Sequence, residues 1–135
     1  MNAAVIFWSG TGNTEAMAQA VAEGAGVSAA EVSDFSGDIA ALDAVAFGCP
    51  AMGSEVLEED VFEPFFAENE SKLSGKRVAL FGSYGWGDGE WMRDWAERVK
   101  AAGAELVNGE GLIVNEAPDD DALAQCRALG AALVG

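Results

Sequence analysis

The sequence reads as a doubly wound α/β domain spanning residues 1–135, a parallel sheet with helices on both faces. Four short apolar runs, Ala3 to Trp8, Ala44 to Cys49, Val78 to Gly82 and Leu112 to Val114, lack the polar and apolar alternation of a half-exposed sheet. That pattern belongs to strands covered on both sides. Helical periodicity fills the stretches between and after them, and glycine-rich loops follow the strand ends.

The first run leads into a helix over Thr14 to Gly24, in which Met17, Ala20, Val21 and Gly24 share one face and Gly24 and Gly26 are expected to stop it. Glu31 to Phe35 reads as a short second strand, and Ala44 to Cys49 as the third. Asp60 to Asn69 follows as a helix with Pro64 in its first turn, where a missing N–H does no harm. After Val78 to Gly82, the positions Trp91, Trp95, Val99 and Ala102 mark a helix that ends at Gly103. Leu112 to Val114 is the last strand. Asp119, Asp120 and Asp121 then cap a helix whose inner face is Ala122, Cys126, Leu129 and Leu133. Right-handed crossovers place such helices on both faces, and ligands bind outside the carboxyl ends of the strands where the winding direction switches.

Charge narrows the partners. Seven basic residues against 23 acidic ones give a net charge of -16. Nucleic acid and an anionic membrane surface both need clustered cations, so neither is expected, whereas basic surfaces on partner proteins are. A small chain with this charge is expected to be monomeric. The absence of histidine removes the commonest general base and metal ligand, and no metal site is expected. Cys49 and Cys126 stand alone, without metal or disulfide spacing, and read as buried thiols. The N-terminus has no basic segment before a cleavable apolar stretch, and no run nears the roughly 18 apolar residues of a membrane span, so a cytoplasmic location is expected.

Three loops carry the chemistry. Ser9, Gly10, Thr11, Gly12, Asn13 and Thr14 run from the first strand into the first helix. Two glycines allow close approach of an anion, the helix N-terminus aims free N–H groups at it, and three hydroxyls and an amide add donors without any cation. A nucleoside triphosphate loop would need GxxxxGK[ST], and a dinucleotide fingerprint would need glycine where Glu15 stands. The competing explanation is a glycine-rich turn before a capped helix. The second loop is Pro50, Ala51, Met52, Gly53, Ser54 and Glu55; the third is Ser83, Tyr84, Gly85, Trp86, Gly87, Asp88, Gly89 and Glu90. Tyr84 and Trp86 among glycines lack a packing shell, and Met52 with Trp86 offers two faces for a flat ring system. The alternative is that these two side chains only cover strand ends.

Taken in order, SGTGNT, CPAMGSEVLEE and FGSYGWGDGEWM resemble the three flavin-binding loops of flavodoxins of the short-chain anaerobic type, and the resemblance covers essentially the whole chain. It implies a flavodoxin-like five-stranded parallel sheet of order 2-1-3-4-5 that binds FMN non-covalently. It implies that residues 9 to 14 hold the phosphate and that Met52 and Trp86 flank the isoalloxazine ring. On the same resemblance the carbonyl of Gly53 turns toward flavin N5 on one-electron reduction, Glu55 accepts from N3–H, and the backbone near Gly85, Gly87 and Gly89 donates to the pyrimidine edge. Ser54 departs from relatives with Asp or Asn after that glycine.

The function implied is low-potential electron transfer, with FMN moving between semiquinone and hydroquinone and no catalytic activity of the chain's own. Glu55, Glu58, Glu59, Asp60, Asp88 and Glu90 crowd the site with negative charge, and its loops contain no Lys, Arg or His. Each unit charge about 8 Å from a developing anion adds about 2 kcal/mol at an effective dielectric near 20, before screening. Glu58, Glu59, Asp60 and Glu63 are expected to meet transient basic partners, or else to complement a helix N-terminus. A small FMN-dependent NAD(P)H:quinone reductase is the alternative, although no basic pocket for a ribose phosphate is evident. A flavin-free receiver domain would need an acceptor Asp where Gly48 and Cys49 stand.

Overall fold

In the computed structural model, which describes residues 1–135, the apolar runs become the centre of one parallel sheet. Strands β1 (Ala3–Phe7), β3 (Ala44–Gly48) and β4 (Arg77–Tyr84) lie side by side, with Phe7 level with Gly48 and Gly48 level with Phe81. The short β2 (Ala29–Glu31) pairs with the free edge of β1. On the far edge of β4, Arg77 and Val78 pair with β5 (Glu105–Leu106), while Phe81 to Tyr84 pair with β6 (Leu112–Asn115). The order is therefore the expected 2-1-3-4-5, with its last position split into two segments. A tight turn over Val107–Gly109, with Asn108 at a left-handed φ of 65°, separates them.

Each strand feeds two cores, which is why no strand alternates with polar residues. In β1, Val5 and Phe7 face a core shared with α1 (Asn13–Ala25) and α4 (Asp120–Val134), whereas Ile6 faces the core beneath α2 (Phe62–Asn69) and α3 (Glu90–Ala101). The second core is aromatic: Trp95 meets Phe62 and Phe66 edge-on, at centroid distances of 5.5 and 5.7 Å. Arg98 lies 4.9 Å over Phe66 and binds both Glu63 and Glu70, which rivets α3 to α2. Pro64 is the third residue of α2, as its ring requires, and Asp119 accepts the Ala122 N–H at 2.8 Å to cap α4.

Two expectations need correction. The second strand lies at Ala29–Glu31, not at Glu31 to Phe35; from Val32 to Asp34 the chain makes a single tight turn. The apolar signal there comes from Val32, buried in the core, and Phe35, packed against it. Only Gly26 stops α1, by taking a φ of 74°; Gly24 lies within the helix. A Cβ at Gly24 would come 1.9 Å from the carbonyl oxygen of Arg127, and one at Gly130 would come 1.9 Å from that of Val21. The two glycines let α1 and α4 cross backbone against backbone.

No side-chain rotation relieves a contact with backbone. Gly24→Ala is therefore expected to lower stability by about 1–3 kcal/mol, read as a reduced urea midpoint. An unchanged midpoint would mean that the helices separate at little cost.

Candidate functional site

The carboxyl ends of β1, β3, β4 and β6 lie along one side of the sheet, and the pairing runs on past the regular strands. Trp8 N–H donates to Gly48 O (2.9 Å), Cys49 N–H to Phe81 O (3.1 Å), Ala51 N–H to Ser83 O (3.1 Å) and Glu116 N–H to Tyr84 O (2.7 Å). Trp91 on α3 adds its indole N–H to Cys49 O at 3.1 Å. Gly82 is required here, because a Cβ would fall 2.2 Å from that same oxygen. All three expected loops thus start from a fixed base.

They enclose a cleft of about 460 Å³, within the range of sites that take small-molecule cofactors. Gly10, Thr11 and Asn13 line it from the first loop, Pro50, Ala51 and Met52 from the second, and Ser83, Tyr84 and Gly85 from the third. Ser9, Gly12 and Thr14 stand behind the first group, while Gly53, Ser54, Glu55, Trp86, Gly87, Asp88 and Gly89 lie beyond the walls. Trp86 is 62 % exposed, on a loop whose conformation depends on left-handed φ values of 87° and 94° at Gly87 and Gly89. Trp8, Glu116 and Ala117 also line the cleft and were not expected. Their signal is position: Trp8 follows β1, and residues 116–117 follow β6, so both lie where ligands of such sheets bind.

The first loop is built to receive an anion. Gly12 turns the chain into α1 with a φ of 95°, which only glycine adopts cheaply. Ser9 Oγ accepts the N–H groups of Gly12 (3.1 Å) and Glu15 (3.2 Å), and Thr11 Oγ1 accepts that of Asn13 (3.3 Å). Gly10 and Thr11 are exposed, and their N–H groups find no acceptor in the chain. Thr14 has a different part: it is fully buried, accepts the Ser83 N–H (3.3 Å) and shares a hydrogen bond with Ser83 Oγ (3.1 Å). It ties the first loop to β4.

The second loop closes as a turn, with Glu55 N–H donating to Met52 O (2.8 Å) and Met52 N–H to Val56 O (3.0 Å). Glu55 sits at φ 52°, a strained conformation for a residue with a Cβ, and its buried Oε1 has no hydrogen-bond partner. Its carboxylate lies against Gly87, where a Cβ would come within 2.5 Å of Oε1. A strained residue with an orphaned acceptor between two loops fits a ligand N–H.

Several acids have prior commitments. Glu58, only 5 % exposed, accepts the N–H groups of Asp60, Val61 and Phe62, each at 2.8 Å, and caps the start of α2. Glu63 is bound by Arg98 at 2.7 Å, so of the expected docking acids Glu59 and Asp60 alone stand exposed and unpaired. The expectation of a site without cations also needs qualification, because Arg93 folds back from α3 to bind Asp88 at 3.0 Å. Tyr84 is half-buried against Trp91 at 5.7 Å rather than free of packing. Burial pushes the Cys49 thiol up to about 12 and that of Cys126 up to about 11, so neither is a thiolate near neutral pH. No group of three or more acidic or thiol side chains is placed to hold a metal ion, and no helix is long and apolar enough to cross a membrane.

Fold and site together define a doubly wound domain with free amides and no cation at its first loop, and a cleft of cofactor size at the strand ends. The Flavodoxin family model matches residues 5–130. The chain is 48% identical over 134 residues to the flavodoxin of Megasphaera elsdenii, covering 95% of each, and 50% identical over 122 residues to that of Clostridium beijerinckii, covering 86% of this chain and 88% of that one. The solution structure of the two-electron reduced Megasphaera elsdenii flavodoxin superposes with a TM-score of 0.86 at 45% identity, covering 98% of both chains. An archaeal flavodoxin superposes with a TM-score of 0.85 at 27% identity, covering 99% of this chain and 96% of that one. The chain belongs to the flavodoxin family, whose members bind FMN and transfer electrons. The residues present fit that cofactor: free amides at the first loop for a phosphate, and an unpartnered acceptor at Glu55 for an imide N–H.

Glu58 links this site to pH. Its burial favours the neutral acid, but the three N–H bonds from Phe62, Val61 and Asp60 prevail and hold its carboxyl below the ordinary 4.5. A lowered folded-state pKa means stability that is present above pH 4.5 and lost as the pH falls through and below that value. Glu58→Gln is expected to lower stability at pH 7 by about 1–3 kcal/mol and to flatten the acid limb of the stability curve. A variant with the parent's acid limb would contradict this.

Proposed function

We propose that the chain is a low-potential one-electron carrier that moves FMN between semiquinone and hydroquinone and passes electrons between other redox proteins, without catalysing a reaction of its own. The observation that carries this reading is the cation-free first loop beside a cleft whose walls hold Glu116 and no Lys or Arg. Bound FMN would supply the one-electron chemistry. The chain's part is to hold it and set its electrostatics.

Gly10 and Thr11 would give their free N–H groups to the phosphate, with the Thr11 and Asn13 side chains alongside. Met52 supplies a polarizable face, and Trp86 is sufficiently exposed to swing over the ring from the other side. Glu55 would accept an N–H through Oε1, and the backbone at Gly85, Gly87 and Gly89 would donate to the same edge. Gly53 supports the redox part: its φ lies outside the left-handed region and a Cβ there would touch nothing, so the observed turn has no need of glycine. A glycine dispensable in one conformation points to a second conformation that requires it, namely the turned peptide. Ser54, exposed beside it, leaves that peptide free of side-chain packing.

Partners are inferred from charge. Glu59 and Asp60 stand exposed and unpaired at the start of α2, and a net charge of -16 steers basic surfaces toward the chain. Such encounters are transient, and we read the carrier as a cytoplasmic monomer. Hydride transfer from NAD(P)H would need a cationic pocket for ribose phosphate, and the cleft walls contain no Lys or Arg.

Stepwise anaerobic reduction of the FMN complex is expected to show two separated one-electron steps, with the long-wavelength band of a neutral flavin radical between them. A single two-electron step, or sustained NAD(P)H oxidation by the chain alone, would contradict the proposal. Gly53→Ala is expected to lower the maximal radical fraction, since a Cβ opposes the turned peptide by about 1 kcal/mol.

A further inference from the structure

Between the second loop and α3 lies a recess of about 90 Å³, separate from the cleft and sharing with the proposed FMN contacts only Glu55. Glu55 lines it from the loop, Glu63 from α2, and Asp94, Trp95 and Arg98 from α3. Two residues on these walls carry a buried polar atom without a partner: Trp95 through its indole Nε1, and Glu55 through Oε1. Trp95 is 1 % exposed, so its N–H cannot turn to bulk solvent. The neighbouring indole, Trp91, meets the ordinary rule by donating to Cys49 O at 3.1 Å.

The chemistry of the two orphaned atoms selects the occupant. One is a donor only and the other is an acceptor, so the bridging species must accept and donate at once. A metal cation has no lone pair with which to accept the indole N–H, and an anion without a proton has nothing to donate to Glu55. Water does both, and the recess has room for about three molecules at liquid density. We propose that ordered water in this recess accepts the Trp95 N–H and donates to Glu55 Oε1, which makes Trp95 a positioning residue for the Glu55 carboxylate. The strained Glu55, with its carboxylate against Gly87, is thereby tied to α3 as well as to the two loops. The consequence for the cofactor rests on the proposed contact between Glu55 and FMN; the hydration site itself does not.

Proton NMR of the ¹⁵N-labelled wild-type chain, without and with FMN, tests the site directly. A long-lived water is expected to give a cross-peak to the Trp95 indole proton in both samples, and Glu55→Ala is expected to move that resonance while leaving in place the indole of Trp8, which lies outside the recess. Absence of the water cross-peak in the wild-type FMN-free chain, or a Trp95 resonance unmoved by Glu55→Ala, would overturn the proposal. FMN titrations test the positioning role: Trp95→Phe, which removes the indole N–H together with the five-membered ring, is expected to weaken binding about fivefold more in the parent than in the Glu55→Ala background. Equal losses in both backgrounds would mean that Trp95 does not act through Glu55. If FMN failed to bind at all, the proposed function would fall while the NMR result on the FMN-free chain still decided the hydration site.

Discussion

A chain with a net charge of -16 must hold an anion, and its cleft provides no cation with which to do so. Backbone dipoles are the remaining means. The start of α1 concentrates them, since its first N–H groups have no helical acceptor and the helix dipole points the same way. The rest of the first loop serves this arrangement: Gly12 supplies the left-handed turn, Ser9 gathers two amides, and Thr14 fastens the loop to β4 through Ser83. Backbone crossing at Gly24 and Gly130 fixes where α1 lies, so a contact at the far end of the helix sets the position of its N-terminus.

The same excess of negative charge has to be kept from unfolding the second loop. Acids that look alike in sequence are separated by structure into structural and free groups. Glu58 is buried as the cap of α2, and Glu63 and Glu70 hold Arg98 over Phe66. Asp88 takes Arg93. What remains unpaired at the second loop and the start of α2 is Glu59, Asp60 and the strained Glu55.

Sequence revealed those parts of the molecule whose physics is local. Apolar density located the central strands, because a strand buried on both faces has no polar positions to dilute it. Asp119 and Pro64 announced their helix starts by side-chain chemistry alone. The edges were harder. Ala29, Ala30 and Glu31 have little strand character, while the adjacent Val32 and Phe35 are apolar because they plug the core from a turn. Glu105 and Leu106 are too few to give a period. Gly24 could not be told from a helix stop, since its reason lies 103 residues away in sequence, at Arg127. At the site, the loops were legible as motifs, but Trp8, Glu116 and Ala117 reach the cleft only through the sheet register, and Arg93 meets Asp88 of the third loop only through the fold of α3.

The central claim is that main-chain amides grip the phosphate, and comparing FMN with riboflavin on the flavin-free chain isolates it, because the two ligands share the ring and differ at the anion. Hydrogen bonds to a charged group contribute about 1.5–3 kcal/mol each, so the free amides of Gly10 and Thr11 predict that FMN binds at least about a hundredfold more tightly. Equal affinities by calorimetric titration would contradict the account, since the ring would then carry the binding and the first loop would be no more than a turn before a helix.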